Sequence, residues 1–317
     1  MHDVIIVGGG PAGLNAALVL GRCRRDVLLF DTGRPRNARS RGVRGFLTRD
    51  GIDPWSLRAE ARRQLAEYPS VKVVDDEVIA AAVAEGGFEV HSADGGALRC
   101  RKLLLATGWS DDAPDFPDAG RFYGRGVYPC PYCDGWEHRQ QPLLAFGKGE
   151  EGVGVALELT TWSDDVTLLT HGPATISDKG AARLRRLGIG IVDDSIAVLE
   201  GDPDGAGLER VVFATGRVIE TGAIFFPFSS GRLSPLIESF GLDLHRDRRV
   251  ETGPCEQTRV PGLYVAGDAS RSVRFAIVAA GEGATAGYAI NTELLREDLA
   301  SRARKGVNGA AITDNAA

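Results

Sequence analysis

The chain lacks several features that mark whole classes of protein. No apolar run reaches the roughly 18 residues that a membrane-spanning helix needs, so we expect no membrane partner. The net charge is −6, and without a basic excess we expect no nucleic-acid partner. The N-terminus has no basic region before its apolar stretch, which runs into a glycine turn rather than a cleavage site. The sequence therefore predicts a cytoplasmic protein.

Cysteine is also scarce. The chain has five, and Cys23, Cys100 and Cys255 are scattered, whereas Cys130 and Cys133 form a C-x-x-C motif. In a reducing compartment such a pair is more often catalytic or metal-binding than a structural staple. Zinc is the weaker alternative, because no second C-x-x-C or H-x-x-x-H supplies two more ligands. We expect a redox pair and no metal.

Two copies of a β-turn-α-β pattern are present. The first lies at residues 3–30 around a glycine turn at 8–13, and the second lies at 143–169 around a glycine turn at 147–152. Such units wind parallel sheets with helices on their faces. The sequence predicts an α/β protein with two dinucleotide-type domains, or one such domain and a degenerate copy of it.

The first glycine turn has the spacing Gly8-x-Gly10-x-x-Gly13. Its glycines allow a tight turn, close approach of a pyrophosphate, and close packing of helix on strand. Asp31 closes the next strand, where its carboxylate can accept hydrogen bonds from an adenine ribose. Besides Asp31, the cofactor-binding residues predicted from this turn are Gly8, Gly10, Pro11, Ala12 and Gly13.

The motif Cys130-Pro-Tyr-Cys133-Asp134-Gly carries the predicted chemistry. Two cysteines three positions apart at a helix start can close a small disulfide ring, and the helix dipole lowers the pKa of an exposed thiol there. Asp134 is a carboxylate beside the pair, able to move the proton that leaves or returns when the disulfide opens. The alternative is two buried, unreactive thiols.

Five motifs appear in the order and spacing of the low-molecular-weight thioredoxin reductases, which the chain resembles over nearly its whole length. They are Gly8 to Gly13, Ala106-Thr107-Gly108, Gly124-Arg125-Gly126-Val127, Cys130 to Gly135, and Gly267-Asp268. The resemblance implies an α/β fold of two doubly wound, Rossmann-like domains that forms a homodimer. An FAD-binding domain would comprise 1–111 and 243–317, and a redox-disulfide domain resembling a degenerate NADPH-binding domain would comprise 112–242.

The resemblance also implies roles for individual residues. Cys133 would lie nearer the flavin, and Cys130 would exchange with substrate. Taken alone, Asp268 favours a helix cap, but within the resemblance it belongs to the flavin-ribityl motif. The further cofactor-binding residues that it implies are Ala106, Thr107, Gly108, Gly267, Asp268, Phe275 and Ala276.

The second glycine turn departs from this family. The family carries a basic patch after the next strand for the 2′-phosphate of NADPH, whereas residues 170–178 here contain no arginine or lysine. Glu150 and Glu151 stand where a pyrophosphate would rest, although Lys148 offsets part of their charge. No acid ends the strand at 166–169 to hold the ribose of NADH. The later turn at 225–231 is bulky and apolar, and we infer that nicotinamide binding is lost.

A thioredoxin-reductase frame without a nicotinamide site resembles the dithiol oxidases of the gliotoxin, holomycin and romidepsin type. That resemblance implies oxidation of a small-molecule or peptide dithiol through the cysteine pair and FAD, with oxygen as acceptor and Asp134 as base. Three alternatives remain: an NAD(P)H-dependent reductase, a reductase driven by ferredoxin, and a flavin-bearing sensor that turns nothing over.

Two weaker signals lie beside these motifs. Arginines crowd the loop at 34–49, which is either a solvated face or a contact for FAD phosphates or an acidic substrate. His138 follows the cysteine pair and is a candidate for assisting proton transfer.

Overall fold

The computed structural model describes residues 1–227 and 231–313, in two compact units. The first unit comprises Met1–Arg36, Trp55–Trp109 and the segment that begins at Leu233, and the second comprises Asn37–Pro54 and Ser110–Arg232. Residues 37–54 group with the second unit, and 233–242 group with the first. Both segments thus lie on the other side of the sequence-based domain boundaries. Of the bulky turn at 225–231, Phe228, Ser229 and Ser230 lie outside the described residues.

The elements follow one another in three stretches of chain. The first stretch contains β1 (His2–Val7), α1 (Pro11–Arg22), β2 (Val27–Phe30), α2 (Pro54–Leu65), β3 (Val71–Val74), β4 (Val78–Ala84), β5 (Gly87–Ser92) and β6 (Ala97–Leu105). The second contains β7 (Ser110–Asp111), α3 (Ala119–Phe122), β8 (Val127–Tyr128), α4 (Pro131–Asp134), β9 (Leu143–Phe146), α5 (Gly149–Leu159), β10 (Val166–Leu169), α6 (Asp178–Arg186), β11 (Gly190–Val192), β12 (Ile196–Asp202), β13 (Gly207–Phe213), β14 (Val218–Glu220), β15 (Ile224–Phe225) and β16 (Gly231–Arg232). The third contains α7 (Pro235–Glu238), β17 (Leu263–Val265) and α8 (Ala276–Thr313).

The first unit is built on a seven-stranded sheet. Parallel pairing joins β3, β2, β1 and β6 in that order, and β17 pairs in parallel with the end of β6. The antiparallel strands β4 and β5 continue the sheet from β6. The central strands are apolar on both faces, as buried parallel strands must be. Val4 and Ile6 pack with α1 and α8, and Ile5 and Val7 pack in the cluster on the other face.

The second unit repeats this design on a five-stranded parallel sheet in the order β11-β10-β9-β15-β8. Leu144 of β9 packs in one apolar cluster, and Leu143 and Ala145 pack in the other. A three-stranded antiparallel sheet of β12, β13 and β14 and a β7–β16 pair are added to it. The prediction of two Rossmann-like units is confirmed. In each, the first strand (β1 or β9) runs into a glycine turn at the carboxyl edge of the sheet, where such folds bind ligands.

Among the described residues, no helix is both long and apolar enough to pass through a bilayer.

Candidate functional site

The glycine turn between β1 and α1 leaves no room for a side chain at Gly8 or Gly13. At Gly10, in the middle of the turn, the space is open. A Cβ on Gly8 would lie 2.2 Å from the carbonyl oxygen of Ala106, and one on Gly13 would lie 1.9 Å from that of Gly8. A Cβ on Gly10 would meet nothing within 4 Å. Because α1 has no acidic residue in its first turn, its amides and dipole are available to an anion.

Asp31 lies directly beside this turn. A Cβ on Gly9 would meet its Cγ at 2.2 Å, and the side chain is buried, with 4% of the residue exposed. Its carboxylate accepts hydrogen bonds from the Gly33 amide at 3.0 Å and from Nη2 of Arg58 at 2.5 Å. The predicted ribose acceptor is therefore already paired with a cation that sequence reasoning did not single out.

The segment that follows β6 contains a buried hydroxyl group. Oγ1 of Thr107 is buried and has no hydrogen-bond partner among the described residues. Gly108 next to it has a φ of +71°, and a Cβ there would meet nothing within 4 Å. A buried hydroxyl without a partner is costly unless a ligand completes it, so this segment fits a bound cofactor.

The Gly267-Asp268 turn follows β17 and is held from two sides. The Gly267 amide donates to Oε2 of Glu282 at 2.7 Å, and Asp268 forms an ion pair with Arg36 at 2.8 Å. Since α8 begins only at Ala276, Asp268 is not the N-cap of that helix. The capping interpretation is therefore wrong for α8.

The Gly267-Asp268 turn and helix α8 both pack against the first glycine turn. A Cβ on Gly283 would lie 2.0 Å from the carbonyl oxygen of Ala12, and one on Gly267 would lie 3.1 Å from the Cβ of Ala12. Phe275 and Ala276 lie at the start of α8, where the Ala279 amide donates to the carbonyl of Phe275 at 2.9 Å. The structure thus gathers the glycine turn and the Gly267-Asp268 turn around α8. An open cradle and an unsatisfied hydroxyl in this unit suit FAD.

The redox motif lies in the second unit, after β8. Cys130 and Cys133 form a disulfide with Cα atoms 5.3 Å apart, and the Cys133 amide donates to Sγ of Cys130. Cys130 is buried, with 4% exposed, and Cys133 is partly exposed. Helix α4 spans only four residues, so the dipole on which the predicted lowering of the thiol pKa depends is that of a single turn.

Asp134 has the electrostatics of a proton acceptor at neutral pH. Burial raises the pKa of its carboxyl to about 7, and the negative charge of Glu137 adds to that rise, whereas Arg44 opposes it. Nε of Arg44 lies 3.3 Å from Oε1 of Glu137. A carboxylate with a pKa near the working pH can both take and return a proton.

His138, the candidate for assisting proton transfer, contacts the side chain of Tyr128. Its Nε2 lies 3.2 Å from the hydroxyl of Tyr128. Burial, with the charge of Arg41, lowers the pKa of His138 below its ordinary value, which favours the neutral form of the ring. Burial and Asp134 raise the pKa of Tyr128. Tyr128 thus lies within the electrostatic reach of Asp134 and hydrogen-bonds to His138.

The second glycine turn has the same backbone packing as the first, but the charges at the start of the helix that follows it are different. A Cβ on Gly152 would lie 2.4 Å from the carbonyl oxygen of Gly147. Glu150 and Glu151 stand in the first turn of α5, and Oε1 of Glu150 accepts a hydrogen bond from Ser177 at 2.5 Å. A cleft of about 810 Å³ remains at this edge of the sheet, lined by Asp112, Ala113, Pro114, Asp115, Phe116, Pro117, Phe146, Gly147, Lys148, Glu151, His171, Phe226 and Pro227.

Most arginines of the arginine-rich loop are exposed, as a solvated face predicts, but several of them also contact other parts of the chain. In the first unit, Arg34 pairs with Glu77 and Arg36 pairs with Asp268. In the second unit, Arg39 donates to the Arg121 carbonyl, Arg41 donates to the Gly205 carbonyl, and Arg44 pairs with Glu137. The loop therefore supplies a charge to the surroundings of Asp134, a role that sequence reasoning missed.

Sequence reasoning did not identify Arg58, although its position on α2 contains a signal of burial. It lies two helical turns before the buried Leu65, on the same face of α2, so helical periodicity could have marked it as buried. The contact of Arg44 has no such signal, because nothing in the sequence of a long loop indicates which distant segment it meets. Among the described residues, no three His, Cys, Asp or Glu side chains converge as a metal site.

Comparison with known proteins agrees with this arrangement. A family model described as pyridine nucleotide-disulphide oxidoreductase matches residues 2–283. The chain is 31% identical over 299 residues to a probable thioredoxin reductase of Arthroderma benhamiae, which covers 85% of this chain and 74% of the relative. It is 29% identical over 309 residues to thioredoxin reductase tcpT of Claviceps purpurea, covering 93% and 95%.

Among solved structures, the crystal structure of HlmI is similar over almost all of both chains. The TM-score is 0.91 at 32% identity, with 98% of this chain and 97% of that chain covered. The similarity therefore extends over nearly the whole chain.

Proposed function

The chain belongs to the pyridine nucleotide-disulphide oxidoreductase family, and from that premise we propose that it is a dithiol oxidase. It has the thioredoxin reductase fold and is an FAD-dependent disulfide oxidoreductase. In the proposed reaction a small-molecule or peptide dithiol becomes a disulfide, and oxygen is reduced to peroxide. FAD, when bound, supplies the two-electron acceptor between the redox pair and oxygen. The first unit is then the FAD-binding domain, and the second is the redox-disulfide domain.

The observation that carries the proposal is the charge at the start of α5. Glu150 and Glu151 occupy its first turn, where a nucleotide diphosphate would need free amides. No arginine or lysine lies between the end of β10 and Lys179 to hold a 2′-phosphate. Each missing charge-assisted hydrogen bond forfeits about 1.5–3 kcal/mol. The cysteine pair and the cradle for FAD are retained, so electrons can enter from a dithiol instead.

The chain's own residues account for the exchange chemistry. A substrate thiolate attacks one sulfur of the Cys130–Cys133 disulfide, and the other cysteine leaves as a thiolate. The second substrate thiolate attacks the mixed disulfide, so the substrate departs oxidised and the cysteine pair is left reduced. Asp134 accepts the proton of the incoming thiol. By the family resemblance the attacked residue is Cys130. Because it is buried here, exchange requires a movement that exposes it.

An NAD(P)H-dependent disulfide reductase is the second candidate, and two observations favour it. The relatives are named thioredoxin reductases, and the cleft beside the second glycine turn persists, with Lys148 on its lining. The reductase runs the same cysteine chemistry in the opposite direction, so the source of electrons separates the two candidates.

Anaerobic reduction of the flavin decides between them. The FAD-loaded protein is mixed under argon with NADPH, with NADH and with dithiothreitol, while the absorbance of oxidised flavin is followed. The oxidase predicts bleaching by the dithiol alone, with colour returning and one peroxide formed per disulfide when air is admitted. Rapid bleaching by a nicotinamide cofactor overturns the proposal and establishes the reductase.

The homodimer implied by the family resemblance stays a prediction. Sedimentation velocity of the FAD-loaded protein at micromolar concentration tests it, and a single species of monomer mass contradicts it.

A further inference from the structure

Arg58 of α2 is a buried cation with incomplete hydrogen bonding. Only 8% of the residue is exposed. Its Nη2 donates to Oδ2 of Asp31 at 2.5 Å, whereas Nε and Nη1 are buried without a hydrogen-bond partner among the described residues. A guanidinium cannot lose its proton inside a protein, so these two donors remain and need acceptors. We propose that Arg58 binds the adenosine end of FAD.

The place of these donors supports this assignment. Asp31 follows β2, and its Cγ lies so close to Gly9 that a Cβ there would meet it at 2.2 Å. In dinucleotide-binding folds the acid at the end of the second strand meets the adenine ribose. Arg58 is hydrogen-bonded to that acid, so its remaining donors belong to the same charged pair that would meet the ribose.

The paired charges suit a ribose chemically. A hydroxyl is both donor and acceptor, so one ribose hydroxyl can donate to Asp31 while another accepts from Arg58. A bare carboxylate or a bare guanidinium satisfies only one of these roles. FMN lacks the adenosine and gains nothing from the pair, so Arg58 contributes to selection of FAD over FMN.

The neighbours of Arg58 hold its guanidinium in place without satisfying it. Its Cζ lies 5.4 Å from the ring centroid of Trp55, within the range of a cation–π contact. Arg62, one turn later, lies 3.5 Å from Asp31 but is bonded to Asp75 at 2.7 Å. Of these two arginines beside Asp31, Arg58 is therefore the one whose buried donors lack an acceptor among the described residues.

The experiment measures flavin affinity rather than turnover, so it does not depend on the proposed dithiol oxidase. Full-length protein stripped of flavin is titrated with FAD and with FMN, and flavin fluorescence reports binding. Arg58→Met keeps the bulk of the side chain and removes the donors. Arg58→Lys keeps a charge beside Asp31. The matched control is Arg63→Met on the same helix, because Arg63 is exposed and pairs with Glu60.

Arg58→Met is expected to weaken FAD at least about tenfold, or about 1.4 kcal/mol, and to leave FMN unchanged. Arg58→Lys should be intermediate, and Arg63→Met should match the wild type. If Arg58→Met does not fold, the double variant Asp31→Asn with Arg58→Met removes the unpaired buried carboxylate and is compared with Asp31→Asn alone. Unchanged FAD affinity, or equal losses for FAD and FMN in a folded variant, overturns the proposal.

Discussion

The glycine turns of the two units, at 8–13 and 147–152, are built alike. In each, a Cβ on the third glycine would collide with the carbonyl oxygen of the first, at 1.9 Å in the first unit and 2.4 Å in the second. The residues after the turns differ: α1 begins with no acid in its first turn, and α5 begins with Glu150 and Glu151. The two units therefore share the backbone packing of the turn, and they differ in the charge at the start of the helix that follows it.

The largest expected effect is the loss of dithiol oxidation when a cysteine of the second unit is replaced. The FAD that we assign to the first unit should be retained. Cys130→Ser or Cys133→Ser should reduce dithiol oxidation to the uncatalysed rate while FAD stays bound, because only the pair can form the mixed disulfide and be reduced. Oxygen uptake with dithiothreitol and the flavin absorbance of the purified protein measure the two properties. Cys23→Ser is the control, and retained turnover in either active-site variant refutes the mechanism.

The next prediction alters the same backbone contact in both turns. Gly13→Ala should cost about 1–3 kcal/mol of stability through overpacking and release most of the FAD, because the distorted turn lies in the proposed FAD site. Gly152→Ala should cost a similar amount of stability but leave FAD bound. Flavin-to-protein absorbance ratios and thermal unfolding measure both effects. Equal loss of FAD from the two variants would contradict the assignment of FAD to the first turn.

A smaller effect is expected when the acids of the second turn are removed. Glu150→Gly with Glu151→Ser should not produce efficient NADPH use, since the cations for the 2′-phosphate would still be missing. Stopped-flow bleaching of the flavin by NADPH under argon is the measurement, with NADH as the parallel trial. Rapid bleaching by NADPH in this variant would mean that the acids alone block the site.

The smallest predicted effect concerns the proton acceptor in the second unit. In the proposed mechanism Asp134 acts as a base when ionised, and burial raises its pKa to about 7, so the rate of dithiol oxidation should rise with pH through that value. Glu137→Gln removes a negative neighbour and should lower the pKa and the midpoint. Arg44→Met removes a positive one and should raise both. Each shift should be below about one pH unit, and pH profiles of kcat/KM measure it.

Movement of both midpoints in the same direction would contradict the opposed charges around Asp134. Unchanged profiles in both variants would show that another group limits the rate.

Much of this fold was predictable because its signals are local. The glycine spacing, the β-branched strands and the C-x-x-C motif each depend on neighbours within a few residues, and both predicted βαβ units are present. The capping role open to Asp268 was wrong for α8, because the helix begins later than its sequence suggested. The division at 37–54 could not be foreseen, since a loop's partner depends on contacts far along the chain.

The sequence by itself determined the two Rossmann-like units, the cysteine pair and the absence of arginine and lysine at 170–178, because these follow from residue type and short-range spacing. Only the tertiary structure decided that Arg58 is buried against Asp31, that Arg44 reaches Glu137, and that burial raises the pKa of Asp134 to about 7. Burial and charge pairing are sums over groups brought together from distant parts of the chain. Their energies therefore exist only once the chain has folded.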